Sequence, residues 1–471
     1  MRLIGREEER QRLLDLAAND SPEFVVVYGR RRVGKTFLVR ETFNGTFDFA
    51  YTGIANVTTR EQLAGFHQAL QEYATGDLVQ PRTWFEAFAQ LRGIIKSRPT
   101  AQKKVIFLDE MPWMDTHKSR FLPAFEHFWN GWASGRADIL LIVCGSVTSW
   151  LSNKVFQNTS GLYNRVTRRI HLKQFTLREC ERYLEALGVS YHRQQIVEAY
   201  MVFGGIPFYL KEFERGVSLA QNIDRLCFGE SPRFSGEFES LYASIFNRHV
   251  RHVEVVQALA TKSRGLTREE LACLVGFPDG GNLTRILSEL EKNGFVRSYS
   301  PFSRKKRGRL FQLVDHFTLF WLNFIRDSRQ NDEHFWSHFM GSGGYHAWSG
   351  YAFEQVCLSH VEQIKRKLGI TGVLTRVCAW SGGAPGQNAQ IDLLIERGDR
   401  AVNVCEMKFS AREFEIDKDY DLRLRRKLSA FADGTRTALT LIPTLVTTLG
   451  LVQNKYAGII EQEVTLDDLF A

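Results

Sequence analysis

Residues 23–43 read EFVVVYGRRRVGKTFLVRETF: an apolar run, a loop bounded by Gly29 and Gly34, then apolar residues at helical spacing. Gly29-x-x-x-x-Gly34-Lys35-Thr36 is the full phosphate-loop pattern, set between a strand and a helix as its chemistry requires. Glycines let backbone N–H groups face phosphate oxygens, and the helix N-terminus adds a favourable dipole. The expected nucleotide-binding residues are Gly29, Arg30, Arg31, Arg32, Val33, Gly34, Lys35, Thr36 and Phe37. Lys35 is expected to reach the β- and γ-phosphates of ATP, and the Thr36 hydroxyl to ligate Mg²⁺. This commits the first third of the chain to an α/β sheet.

A phosphate loop needs a partner strand that holds the metal and orients water. KKVIFLDEMPW (103–113) supplies it, with an apolar run ending in Asp109 and Glu110. Asp109 is expected to hold Mg²⁺ through water, and Glu110 to polarise the attacking water. A third apolar run, DILLIVCGS, ends at Ser146, whose hydroxyl is placed to sense the γ-phosphate; an ordinary strand-end serine is the alternative.

With LIGREEERQRLL, the phosphate loop, VIFLDEMPW and CGS together, residues 1–225 resemble the archaeal-type P-loop ATPases, close to the AAA+ and STAND ATPases. LYNRVTRRIHLKQFT and GGIPFYL are similar to that family's later motifs and helical lid. The resemblance implies that Ile4, Gly5 and Arg6 lie near the adenine and that Arg165 meets the γ-phosphate. Asn164 stands where the family often has glycine, and a surface structural arginine is the other role open to Arg165.

Residues 226–335 read as a winged helix-turn-helix. LTREELACLVGF opens on a threonine cap, GNLTRILSELEKNGFV ends on Asn-Gly, and VRSYSPFSRKKRGRLFQLVD follows as a hairpin. The hairpin tip SRKKRGR (303–309) suits phosphate contacts, and Asn282, Thr284 and Arg285 are the candidates for reading bases. Packing against the ATPase or binding protein is the alternative use of such a module.

In the last third, WSGYAFEQVCLSHVEQIKRKL has helical spacing with Glu354 beside the apolar side, and QIDLLIERGDRAVNVCEMKFS reads as two strands joined by a tight turn. Strand side chains alternate, so Glu406 and Lys408 share a face, and the hairpin partner brings Asp392 beside them. Two carboxylates of this kind hold a hard Mg²⁺ or Mn²⁺, and Lys408 is placed to stabilise charge at a phosphodiester. Residues 340–471 thus resemble the PD-(D/E)xK nuclease fold, although the proline usual before the first acid is absent from QIDLL. Expected metal ligands are Thr36 and Asp109 in one site and Asp392, Glu406 and Glu354 in the other; expected catalytic residues are Glu110, Lys408 and Arg165.

The fold expectation is therefore an α/β chain: a P-loop NTPase core with helical lid (1–225), a winged helix (226–335) and a C-terminal restriction-endonuclease-like α/β domain (340–471). The functional expectation is an ATP-regulated, metal-dependent DNA nuclease. Its alternative is a STAND-like nucleotide switch or DNA-binding regulator with an inactive nuclease-like domain. A formal charge of +8 leans towards acidic partners such as DNA. No apolar run reaches membrane-span length, the start MRLIGREEER has no hydrophobic signal segment, and the seven cysteines are scattered singly. These features point to reduced thiols, a cytoplasmic location and no membrane; a homo-oligomer or a protein partner stays open.

Overall fold

Val25, Val26 and Val27 of strand β1 (Glu23–Tyr28) have no solvent exposure, as expected for a strand covered by helices on both faces. In the computed structural model, which describes residues 3–98, 102–146, 148–156, 161–246, 249–302, 308–326, 332–382 and 389–471, the chain divides into two units, Met1–Gln174 and Phe175–Ala471.

The first unit is built on a five-stranded parallel sheet of β1, β2 (Phe49–Thr52), β3 (Lys104–Asp109), β4 (Ile139–Gly145) and β5 (Arg168–His171). The order is β2-β3-β4-β1-β5, so β4 lies between the strand that leads into the phosphate loop and the strand that ends in Asp109. One face is filled by aromatic packing: Phe24 meets Phe125 and Trp129 with ring centroids 5.6 and 5.2 Å apart. The segments carrying Lys35, Asp109 and Ser146 all leave the carboxyl ends of adjacent strands, where open α/β sheets bind ligands.

The second unit opens with helices Leu177–Ala186, Arg193–Phe203 and Leu219–Cys227. The sequence reading expects these helices as a lid of the ATPase part; here they group with the following residues. Their aromatic core explains it, since Tyr209 stacks on Phe317 at 4.8 Å and packs on Phe234. Gly205 lies so close to Phe175 that an added Cβ would stand 2.0 Å from its carbonyl oxygen.

Next come helices Val250–Ala260, Arg268–Val275 and Gly281–Lys292 with a three-stranded sheet ordered β6-β8-β7, from β6 (Leu266–Thr267), β7 (Val296–Tyr299) and β8 (Leu310–Leu313). Thr267 caps its helix as the sequence predicts, in a capping box with Glu270. The basic residues 303–307 between β7 and β8 lie outside the described residues.

The C-terminal sheet is mixed, ordered β13-β12-β11-β10-β9, from β9 (Thr375–Gly382), β10 (Ala389–Arg397), β11 (Ala401–Lys408), β12 (Thr440–Thr447) and β13 (Gln462–Val464). β10 runs antiparallel to both neighbours, and β11, β12 and β13 are parallel. Helix Lys418–Thr435 crosses between β11 and β12 and buries Phe431 against Trp380. Pro301 and Phe302, just past β7, join the edge of this sheet: the Phe302 amide donates to the Ala379 carbonyl at 2.9 Å, and its ring is 6% exposed, packed on Phe431. Among the described residues no helix is long and apolar enough to cross a membrane. All seven cysteines are free, and all but Cys273 are buried.

Candidate nucleotide site and C-terminal charge cluster

Gly29 adopts φ +145°, and a Cβ there would stand 2.2 Å from the Leu172 carbonyl oxygen. Only glycine lets the end of β5 back so closely onto the loop. Gly34 (φ 90°) turns the chain into helix Lys35–Thr42. The buried Lys35 ammonium donates to the carbonyls of Gly29 and Arg30 at 3.1 and 2.9 Å. Burial pulls its pKa down, and the nearby Glu110 and Asp109 charges oppose that shift. The Thr36 hydroxyl donates to Asp109 at 2.8 Å across 73 residues of sequence. Burial raises the Asp109 carboxyl, and the Thr36 hydrogen bond works against it.

These residues fit a Mg²⁺–nucleotide. A hydroxyl and a carboxylate, both hard oxygen ligands, meet where the phosphate loop ends.

Glu110 follows directly in the left-handed region (φ 47°, ψ 45°), uncommon for a residue with a Cβ. Ser146, at the end of β4, donates its hydroxyl to both Glu110 oxygens, at 2.9 and 3.1 Å, and its amide lies 3.3 Å from one of them. Ser146, the γ-phosphate sensor expected from sequence, thus bonds Glu110, the residue expected to polarise the attacking water. Gly53, after β2, donates its amide to the Asp109 carbonyl at 2.9 Å, and its own Cα faces the Glu110 carbonyl. Nothing in the sequence reading singled it out.

Arg31 lies over the Trp113 ring at 5.9 Å, Val33 is buried, and Phe37 is exposed. Buried Arg6, after Gly5 (φ 66°), donates to the Lys173 carbonyl at 2.6 Å. Arg165 is exposed in a turn in which Asn164 takes φ 57°. Asparagine tolerates that left-handed conformation better than most residues with a Cβ.

In the second unit, the sequence-predicted residues Glu354, Asp392, Glu406 and Lys408 come together. Leu393 pairs with Cys405, which sets Asp392 and Glu406 one residue further along as neighbours on β10 and β11. β10 slips register against β9 between Ile391 and Leu394, the stretch that holds Asp392. Glu354 is on helix Gly343–Ser359, docked where Phe353 meets Phe409 just after β11. Its carboxyl is pushed up to about 8, by burial first and then by Asp392 and Glu406.

Two further residues were missed in the sequence. Tyr420 and Lys427, two helical turns apart on Lys418–Thr435, both reach Glu406: Tyr420 donates to one oxygen at 2.8 Å, Lys427 to the other at 2.7 Å. Lys408 completes the cage at 3.0 Å. Burial would raise Glu406, but Lys427 and Lys408 outweigh it and hold the carboxyl at about 2.

In this arrangement Glu354, Asp392 and Glu406 do not form the expected metal site. Both Glu406 oxygens are engaged by ammonium or phenol groups, and among the described residues no group of three or more His, Cys, Asp or Glu side chains is placed to hold a metal ion. The candidate base readers are also engaged: Arg285 bonds Asn282 and Glu289, and Thr284 accepts from Arg268.

Across 440 residues, 91% of this chain and 93% of the other, the sequence is 22% identical to an uncharacterized protein of Methanocaldococcus jannaschii. A Walker-type ATPase of Pyrococcus abyssi aligns with a TM-score of 0.47 at 17% identity, covering 68% of this chain and 96% of that one. The ORC2 protein of Aeropyrum pernix aligns at 0.44 and 14%, covering 69% and 95%. Residues 3–213 match the profile of an ATPase domain predominantly from Archaea.

Proposed function

We propose that the chain hydrolyses ATP and uses its nucleotide state to control a C-terminal domain that acts on DNA. The observation that carries the first half is the 2.8 Å Thr36–Asp109 hydrogen bond, which brings the phosphate loop to the acid end of β3. Lys35 releases the Gly29 and Arg30 carbonyls to take the phosphates. Thr36 and Asp109 hold Mg²⁺, which neutralises phosphate charge when bound. Glu110 takes the proton of the attacking water, and Ser146 fixes its direction. Phosphate release from Mg²⁺-ATP tests this: Lys35→Ala should lose nucleotide binding, while Glu110→Gln should keep binding and lose turnover. Equal ATP affinity in wild type and Lys35→Ala would refute it.

For the second half, the helices and hairpin of 250–313 read as a winged helix that meets duplex backbone, and residues 340–471 read as a nuclease-like domain. The support is the convergence of Glu354, Asp392, Glu406 and Lys408 from one helix and two strands. A different reading, a nucleotide switch whose last domain binds DNA without cutting it, is favoured by the engagement of both Glu406 oxygens. Nicking of supercoiled plasmid with Mg²⁺ or Mn²⁺, with and without ATP, separates the two.

A further inference from the structure

Glu406 is held by two ammonium groups that come from different elements. Lys408 sits two residues further along the same strand, 33% exposed and 3.0 Å from one Glu406 oxygen. Lys427 reaches in from helix Lys418–Thr435, whose Leu424 and Phe431 are buried in the sheet packing. The helix is anchored, but the Lys427 side chain is 26% exposed and its four-carbon stem has a path to solvent. Asp392 and Glu406 bring negative charge to the cluster; Lys408 and Lys427 hold Glu406, and half-buried Arg297 faces Asp392. A divalent cation entering that cluster would meet ammonium groups on the Glu406 oxygens it needs.

We infer that Lys427 is a resident counter-cation which keeps the C-terminal cluster closed to metal, and that its side chain must swing off Glu406 before a metal or a phosphate can engage there. This rests on the nuclease-like reading above and adds its control step. Phosphate backbone arriving at the exposed Arg423 and Arg426 of the same helix is the natural competitor for the Lys427 ammonium. Tyr420 stays behind as the neutral donor that keeps Glu406 oriented.

The test is titration of Mn²⁺ into the nucleotide-free full-length protein by calorimetry, scoring only the binding that Glu406→Gln removes. Lys427→Met should tighten that binding about tenfold, the effect of about 1.4 kcal/mol of relieved competition. Lys427→Arg, which keeps the charge, should not tighten it. The Lys427→Met/Glu406→Gln pair should lose the gain. Glu406-dependent binding that is no tighter in Lys427→Met overturns the inference and leaves the nuclease-like reading standing. If neither wild type nor Lys427→Met has any Glu406-dependent Mn²⁺ binding, the metal-dependent reading itself is refuted, and the inference with it.

Discussion

Ser146 grips Glu110 by its hydroxyl, 2.9 and 3.1 Å from the two carboxylate oxygens. Glu110, the base proposed above, takes a left-handed backbone conformation and is thereby held from the neighbouring strand. Ser146→Ala should lower kcat for ATP about tenfold with little change in KM, because the lost contact positions the base rather than the nucleotide. Ser146→Thr, which keeps the hydroxyl, should recover most of the rate. Steady-state phosphate release across an ATP series reads both.

Gly53→Ala should act on the same residue from the other side. The added Cβ would stand 2.7 Å from the Glu110 carbonyl oxygen and 3.1 Å from the Met114 side chain. Backbone has to shift, at a cost of about 1–3 kcal/mol. Denaturant melts should show the loss, and turnover should fall further than Mg²⁺-ATP affinity.

Thr36→Val removes the hydroxyl that Asp109 accepts from and leaves the buried carboxylate short of a donor. Such a loss costs about 1–3 kcal/mol. ATP hydrolysis should need a higher Mg²⁺ concentration for half-maximal rate, and unchanged Mg²⁺ dependence would remove Thr36 from the metal site.

His360 predicts acid sensitivity in the second unit. Its Nε2 accepts from the Leu177 amide at 3.0 Å, and Nδ1 lies 2.8 Å from the Val356 carbonyl, so the ring is held neutral. Burial lowers its pKa to about 4, against 6.5 when unfolded. The unfolded chain therefore takes up a proton that the folded chain refuses. The stabilisation is complete above about pH 6.5 and is lost as pH falls towards about 4, to a limit of about 3 kcal/mol. Urea melts of wild type at pH 7 and pH 5 should differ by more than those of His360→Gln.

Replacing Lys305, Lys306 and Arg307 with alanine should weaken duplex binding uniformly over sequences. If each meets a phosphate, the slope of log K against log salt should drop by about 2–3. An unchanged slope assigns the hairpin to a protein partner.

The nucleotide site was legible because its chemistry is local. Gly29, Gly34, Lys35 and Thr36 fall within one turn of chain, and Asp109 and Glu110 are adjacent, so spacing alone names them. Ser146 was visible as a strand end, but its bond to Glu110 depends on β4 lying between β1 and β3, which no local pattern records. Asp392, Glu406 and Lys408 were legible from strand alternation. The bulge at Asp392 was not, because register is settled by pairing with β9. Tyr420 and Lys427 escaped because an i, i+7 pair on a charged helix looks like any solvated face until the sheet beneath it is known.

The seat of Phe302 bears on how this chain can be cut. A fragment beginning near residue 340 would carry all five C-terminal strands yet lack the ring that fills the space beside Phe431, and the Ala379 carbonyl would lose its donor. Losing a buried phenylalanine costs about 3–5 kcal/mol, and an uncovered edge strand invites pairing with another copy. Excised pieces should therefore aggregate where the intact polypeptide does not, and the last domain inherits part of its integrity from a hairpin encoded more than thirty residues upstream.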